Sequence, residues 1–318
     1  MRAGGIRGGL RGGPSRRWEL VSTAALAVGA IVLSACSIAN GSSIANGKLR
    51  VVAAENFWGS LASQLGGDKA QVTSVITNPD TDPHDYEPTA ADARLIAGAQ
   101  LVIENGIGYD PWVSRLVSAN PAGSRRVVIV GNVIGMGPGG NPHQWYSPTS
   151  VDLVIAAITA QYKLVDPADA SYFDRQRATV QSVTLKPYHD TLDEIRSKYA
   201  GVPVGASESI FIPMASALGL DLLTPRSFLD AISEGTDPSP ADRATVEEQI
   251  QTHGIKVFVY NSQNTTPDVQ RLVDQARTAG IPVTEITETL VPATASFQDW
   301  QVRELRDLEA ALALAMRR

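Results

Sequence analysis

The segment Gln71-Val-Thr-Ser-Val-Ile-Thr77-Asn-Pro-Asp-Thr-Asp-Pro83-His84 joins a strand-like run to a loop that carries a histidine. Two prolines and two aspartates precede His84, and these residue types favour a fixed, non-helical loop. The imidazole is therefore expected at the mouth of a sheet, where a small ligand can reach it. A second Pro-His pair occurs at Pro142-His143, and the chain has only four histidines. We interpret His84 and His143 as two ligands of one metal ion.

Strand-like runs alternate with helical stretches on both sides of a long segment that lacks glycine. This alternation predicts βαβ units and mainly parallel sheets. The segment from about 168 to 199 has a helical rhythm and would be about 45 Å long as one helix, although Pro187 should kink or divide it. We predict an α/β fold of two lobes, each a mainly parallel sheet flanked by helices, joined by this spine helix. The predicted parts are the N-terminal lobe 48–165, the linking helix 166–200 and the C-terminal lobe 201–318.

The first 36 residues differ in composition from the rest of the chain. Five arginines precede an apolar stretch, Leu20 to Leu33, which is shorter than the roughly 20 residues of a membrane-spanning helix. This pattern is typical of an export signal. The signal ends in Leu33-Ser-Ala-Cys36, which resembles the lipobox of a bacterial lipoprotein and implies that Cys36 carries a lipid. Residues 37–47 repeat Ser-Ile-Ala-Asn-Gly and are expected to form a flexible tether.

Length, charge and cysteine content limit the class of protein. The 318 residues, 43% of them hydrophobic, suffice for one large or two medium domains. Of 27 basic and 33 acidic residues, five Arg and one Glu lie in 1–36, which leaves 22 basic and 32 acidic residues and a net charge of −10. An acidic exported body argues against a nucleic-acid partner. The single cysteine excludes an intrachain disulfide.

Two carboxylates follow strands of the predicted C-terminal lobe. Glu208 comes just after the run 202–206, and Glu288 comes just after 282–286. In parallel sheets, ligands bind beyond the carboxyl ends of the strands. Two imidazoles and two carboxylates between the lobes would form a closed site for a divalent transition metal. A closed site indicates that the metal is held by the protein and is not used as a catalyst.

Three motifs together resemble one protein family, the metal-binding lipoproteins of ABC importers in the ZnuA/TroA-like cluster. The motifs are Pro83-His84-x-Tyr86-Glu87-Pro88-Thr89-x-x-Asp92, Asn105-Gly-x-Gly-Tyr-Asp-Pro-Trp112 and Asn141-Pro-His143-x-Trp145-x-x-Pro148. The resemblance implies two α/β lobes bridged by one long helix, with the metal between them. It also implies a monomer held on the outer face of the bacterial membrane by the lipid on Cys36. Its partners would be an ABC permease and the cytoplasmic ATPase that drives it.

The chain departs from this family pattern at the two acidic ligands. Many zinc-type members have histidine at the position of Glu208, whereas manganese-type members have glutamate there. Glu288 stands at a position where aspartate is usual. The chain also lacks the histidine-rich loop of many zinc importers. Oxygen donors favour harder ions such as Mn²⁺ or Fe²⁺, whereas Zn²⁺ has the higher intrinsic affinity for such sites. Both Zn²⁺ and Mn²⁺ therefore stay open as the cargo.

The expected function is a lipid-anchored, non-enzymatic receptor that captures one divalent metal ion and delivers it to an ABC permease. Two alternatives belong to other classes. An exported metallohydrolase would need an open coordination position and a general base beside bound water, and the chain has no His-Glu-x-x-His motif. A metal-binding adhesin or extracellular scaffold would bind a surface ligand without metal.

Overall fold

Two parallel β-sheets form the framework of the protein in this computed structural model, which describes residues 47–79, 81, 83, 84 and 86–317. The predicted leader 1–36 with Cys36, the tether up to residue 46, and Asp85 lie outside the described residues.

The first sheet has the strand order β2-β1-β3-β4, and its paired strands are parallel. Helices cover both faces, so β1 is almost continuously buried, as the run Leu-Arg-Val-Val-Ala-Ala-Glu predicts for a strand enclosed on both sides. The strands are β1 (Leu49–Glu55), β2 (Ala70–Ile76), β3 (Leu101–Glu104) and β4 (Arg126–Ile129), and the helices are α1 (Asn56–Gly66), α2 (Ala90–Gly98), α3 (Pro111–Ala119) and α4 (Val130–Ile134).

The loop that carries His84 is anchored by the start of α2. The Thr89 hydroxyl accepts the Asp92 N–H, and the Asp92 carboxylate accepts the Thr89 N–H at 2.7 Å, which completes a capping box. The Tyr86 hydroxyl donates to the same carboxylate at 2.9 Å. The chain two residues after His84 is therefore held to the helix.

A run of helices connects the two sheets: α5 (Pro148–Val165), α6 (Ala170–Thr179) and α7 (Lys186–Tyr199), with a π-helical segment Val180–Thr184 before α7. The predicted division at Pro187 is confirmed. Proline has no N–H to donate to the Val183 carbonyl, and the Leu185 N–H bonds instead to Val180 at 2.9 Å. Such a π segment is a typical response to an interrupted helical ladder.

The second sheet repeats the first, with strand order β6-β5-β7-β8 and parallel pairs. The sequence reasoning did not predict β6, which has two residues, or α9. The strands are β5 (Pro203–Ala206), β6 (Asp221–Leu222), β7 (Val257–Asn261) and β8 (Val283–Ile286), and the helices are α8 (Ile212–Leu218), α9 (Arg226–Ser233), α10 (Pro240–Gln251), α11 (Pro267–Thr278) and α12 (Phe297–Ala315).

One hydrophobic core runs from the first sheet through the connecting helices to the second. It contains Leu49 of β1, Ile155 of α5, Ile195 of α7 and Val257 of β7, all almost fully buried. The terminal helix α12 packs on α7 and also on α1. The predicted fold class, two mainly parallel sheets flanked by helices and joined through a long helix, is confirmed.

Candidate metal centre

His143 presents an unprotonated nitrogen inside the protein. It follows β4, α4 and a glycine-rich loop, and it is 0% exposed. Its Nδ1 lies 2.8 Å from the side-chain oxygen of Asn141, an acceptor that holds the proton on Nδ1 and leaves the Nε2 lone pair available. Burial lowers the pKa of His143 to about 4, although the nearby charge of Glu208 opposes this shift. The ring is therefore neutral at pH 7, as a metal ligand must be.

The His143 Nε2 atom is buried and makes no hydrogen bond within the described part of the chain. Such an orphaned atom normally costs about 1–3 kcal/mol. It faces two carboxylates instead, with Glu208 Oε1 at 3.9 Å and Glu288 Oε1 at 3.6 Å. This arrangement has the donor set of a metal centre.

Glu208 comes from the loop after β5 and is 1% exposed. Its Oε2 atom accepts hydrogen bonds from the side-chain amides of Asn261 at 3.0 Å and Asn264 at 3.2 Å. Its Oε1 atom accepts one from the Ser233 hydroxyl at 3.2 Å. Burial first, and then the charge of Glu288, raise the pKa of Glu208 to about 7. Two acidic groups forced together without water favour any cation that can replace the proton.

Glu288 comes from the loop after β8 and is also buried. Its Oε1 atom accepts from the Asn261 amide at 2.9 Å, and its Oε2 atom accepts from the Tyr109 hydroxyl at 2.7 Å. Tyr109 belongs to the loop after β3, so this bond crosses from the first lobe to the second. The Glu288 N–H donates to the Gln263 side chain at 2.7 Å, which fixes the backbone.

His143, Glu208 and Glu288 together form one group whose ligand atoms all lie within 4.8 Å of one another. Two ligands on one tetrahedral Zn²⁺ with bonds of about 2.0–2.1 Å are about 3.3–3.4 Å apart. The separations of 3.6 and 3.9 Å from His143 Nε2 are close to this value. The three side chains thus fit around one small cation with little rearrangement.

His84 lies beside this group without being part of it. Its half-buried ring has its centroid 6.2 Å from the His143 ring and 4.6 Å from the Tyr109 ring. The structure therefore brings three of the four predicted ligands into one cluster and places the fourth, His84, next to that cluster. Glu285 lies on β8, and its side chain is exposed, as the alternation of side chains between the two faces of a strand predicts.

Aromatic rings close the first-lobe side of the cluster. Trp145 is fully buried, lies edge to face with His143 at 5.3 Å between ring centroids, and stacks on Phe57 at 4.0 Å. These rings hold the imidazole in place and exclude water from it.

A further buried carboxylate supports the loop that carries Glu288. Glu304 of α12 accepts hydrogen bonds from the Thr287 N–H at 3.1 Å and the Trp300 indole at 2.9 Å, and it shares one with the Tyr146 hydroxyl at 2.6 Å. Burial raises the pKa of Glu304 to about 8, although these hydrogen bonds lower it. Because Tyr146 follows His143 closely in the chain, Glu304 ties the two ligand loops together.

The sequence reasoning missed Asn261, Asn264, Ser233 and Glu304. One signal could have found Asn261: it is the first polar amide at the carboxyl end of β7, the strand between β5 and β8. The other three lie on helices or loops whose distance to the site depends on tertiary packing.

None of the described helices combines the length and apolar composition that a membrane-spanning helix requires.

Comparison with known proteins identifies a family and several relatives for this chain. Residues 51–311 match the family described as zinc-uptake complex component A, periplasmic (ZnuA). A putative metal-binding protein of Treponema pallidum (strain Nichols) is 25% identical over 276 residues, which cover 79% of this chain and 84% of that protein. The manganese ABC transporter substrate-binding lipoprotein PsaA of Streptococcus pneumoniae serotype 4 (strain ATCC BAA-334 / TIGR4) is 25% identical over 265 residues, which cover 76% of this chain and 82% of that protein.

A solved structure shows the same fold. The Mn-bound form of a mutant periplasmic metal binding protein from Candidatus Liberibacter asiaticus superposes with a TM-score of 0.70 at 19% identity, and the match covers 83% of this chain and all of that chain. The family match spans both sheets and every residue of the cluster. The chain belongs to the ZnuA family of zinc-uptake components.

Proposed function

We propose that this protein is the extracytoplasmic, metal-binding component of an ABC importer, and that its cargo is one divalent transition-metal ion, Zn²⁺ or Mn²⁺. The observation that carries the proposal is the buried Nε2 atom of His143, which faces the Glu208 and Glu288 carboxylates at 3.9 and 3.6 Å. Membership of a metal-uptake family supports the same conclusion. PsaA, a relative that covers most of the chain, is itself a manganese ABC transporter substrate-binding lipoprotein.

In this proposal the ion is held by His143 Nε2, one oxygen each of Glu208 and Glu288, and the His84 imidazole. Glu208, whose pKa burial raises to about 7, would release its proton when the ion enters, since metal and proton compete for the same lone pairs. The two imidazoles come from the first lobe and the two carboxylates from the second. A bound ion would therefore bridge the lobes, and the loaded form would differ from the empty form at the surface that a permease can read.

The same site argues for a receptor and against an enzyme. Four protein ligands fill a tetrahedral ion and leave no position for an activated water. We propose accordingly that the protein has no catalytic activity, acts as a monomer, and is anchored to the outer face of the cell membrane by a lipid on Cys36. Its partners would be a permease and its ATPase, with no nucleic acid among them.

Metal stoichiometry tests the proposal. The purified protein would be stripped with a chelator, reloaded with Zn²⁺ or Mn²⁺, and assayed for bound metal beside the variants His143→Ala and Glu288→Ala. Glu285→Ala is the matched control, because this exposed glutamate lies three residues before Glu288, on the strand that leads into the Glu288 loop. We expect one ion per chain in the unsubstituted protein and in Glu285→Ala, and strongly reduced binding in the other two. Full binding by His143→Ala, or none by the unsubstituted protein, would refute the proposal.

A further inference from the structure

The side chain that controls both acidic ligands is Asn261, the last residue of β7. This strand lies between β5 and β8 in the second sheet, and its partners in register are Val204 to Ala206 on one side and Val283 to Ile286 on the other. Glu208 and Glu288 follow these two neighbouring strands. A side chain at the end of β7 is therefore the one that can reach both carboxylates.

Asn261 is 0% exposed, and its amide orientation is set by its surroundings. The Gln263 N–H donates to the Asn261 side-chain oxygen at 3.0 Å, so the NH₂ group faces the opposite way. This NH₂ group has two protons, and it donates to Glu208 Oε2 at 3.0 Å and to Glu288 Oε1 at 2.9 Å. One amide thus fixes the spacing of two like-charged ligands.

The hydrogen bonds leave the two oxygens of Glu208 in different states. An ionised carboxylate oxygen has two lone pairs, and Oε2 uses both of them, for Asn261 and for Asn264. Oε1 accepts only the Ser233 hydroxyl within the described residues, and it is the oxygen that faces His143. Glu208 can therefore offer one oxygen to an ion, but it cannot chelate with both.

Glu288 is held in a comparable way. Its Oε1 atom faces His143 at 3.6 Å, while its Oε2 atom is engaged by the Tyr109 hydroxyl at 2.7 Å. With one oxygen from each glutamate and two imidazoles, the site supplies four donor atoms. Four donors match Zn²⁺, which is almost always tetrahedral in closed protein sites. Mn²⁺ favours six ligands, mostly oxygen, and it would need the carboxylate oxygens that the Asn261 and Asn264 amides occupy on Glu208 and the Tyr109 hydroxyl occupies on Glu288.

We infer that Asn261 is a specificity-determining positioning residue: with Asn264 it occupies Oε2 of Glu208, and it fixes Oε1 of Glu288 beside His143 while Tyr109 holds Oε2, so each glutamate offers one coordinating oxygen and the site favours four-coordinate ions such as Zn²⁺ over six-coordinate ions such as Mn²⁺. This inference rests on the proposed metal-binding function and names the class of cargo. Asn261 acts through Glu208 and Glu288 and does not touch the ion itself.

Two measurements on the full-length protein test the inference, with Zn²⁺, Mn²⁺ and Co²⁺ as the probes. The first compares the affinities for Zn²⁺ and Mn²⁺ by competition titration in the unsubstituted protein, in Asn261→Ala and in Thr265→Val. Thr265 is the control, because its exposed hydroxyl lies in the same loop and, among the described residues, bonds only to backbone carbonyls. We expect Asn261→Ala to lower the Zn²⁺ affinity by about tenfold or more, the range found for residues that orient metal ligands, and to lower the Mn²⁺ affinity less, so that the ratio of the two affinities falls. Thr265→Val should leave this ratio unchanged.

The second measurement is the visible spectrum of the Co²⁺-loaded protein, which needs no variant. Four-coordinate Co²⁺ absorbs strongly and six-coordinate Co²⁺ weakly, so strong bands in the unsubstituted protein would support the inference. Weak bands there, or a ratio of affinities that Asn261→Ala leaves unchanged, would overturn it while the proposed function stands. If the unsubstituted protein bound none of the three ions, both the inference and the proposed function would fall.

Discussion

Replacing Glu304 by glutamine is expected to make the metal-free protein more stable at alkaline pH. The Glu304 carboxyl group is buried among Tyr146, Thr287 and Trp300. Burial raises its pKa to about 8, so at neutral pH the group keeps its proton and can donate to the Tyr146 oxygen. Tyr146 then donates its own proton to the Thr287 carbonyl at 2.8 Å. The NH₂ group of glutamine can replace the protonated oxygen in the same geometry.

The magnitude follows from the two pKa values. The carboxyl group has a pKa of 4.5 when it is solvated and of about 8 in the folded protein. Between these values unfolding releases one proton, so the free energy of unfolding falls by about 1.4 kcal/mol for each pH unit as the pH rises. The loss reaches about 4–5 kcal/mol at pH 8 and above, where both states are ionised and the slope ends. Glutamine has no proton to lose and should show none of this loss.

Urea unfolding between pH 5 and 9, with a chelator present, measures the difference. Glu304→Gln should match the unsubstituted protein within about 1 kcal/mol at the acidic end and exceed it by a margin that grows up to about pH 8 and then levels off. Asp307→Asn, an exposed carboxyl on the same helix, controls for the loss of one negative charge. A difference between Glu304→Gln and the unsubstituted protein that stays constant across this pH range would refute the reasoning.

Three further predictions concern the metal ligands and the aromatic residues beside them. Metal affinity should rise with pH through about 7. Burial and the charge of Glu288 raise the pKa of Glu208 to about 7, and Glu208 must release its proton before it can bind the ion. Calorimetric titrations that give a constant affinity from pH 6 to 8 would contradict this prediction. Tyr109→Phe should weaken binding by roughly tenfold, since Glu288 loses its donor from the opposite lobe; an unchanged competition titration would contradict it. Trp145→Ala should lower the free energy of unfolding by about 3–5 kcal/mol, because the indole is fully buried against Phe57; a loss below about 1 kcal/mol in urea unfolding would contradict it.

The fold was predictable because strand and helix signals alternate clearly. Runs such as Lys256-Val-Phe-Val-Tyr260 are short and apolar, and helices begin at pairs such as Thr266-Pro267, where the Thr266 hydroxyl accepts the Val269 N–H. The two-residue strand β6 has no such signal, since Asp221–Leu222 gains its pairing only from β5 beside it. Helix α9, which follows it, begins without a side-chain cap.

The candidate site was predictable only in part, for a related reason. The rule that ligands gather at the carboxyl ends of parallel strands pointed to His143, Glu208 and Glu288, which the structure brings together. The residues that orient them could not be read from spacing. Asn261 is 53 residues from Glu208 in the chain, and Tyr109 is 179 residues from Glu288. The Asn261 bond exists because β5 and β7 pair in the second sheet, and the Tyr109 bond exists because the two lobes close on each other.

Anomalous diffraction from crystals loaded with Zn²⁺ would show where the ion lies. We predict a single metal peak about 2.0–2.2 Å from His143 Nε2, from one oxygen of Glu208, from one oxygen of Glu288 and from a His84 nitrogen. A peak elsewhere, or an ion at this place bound by fewer than three of these side chains, would contradict it.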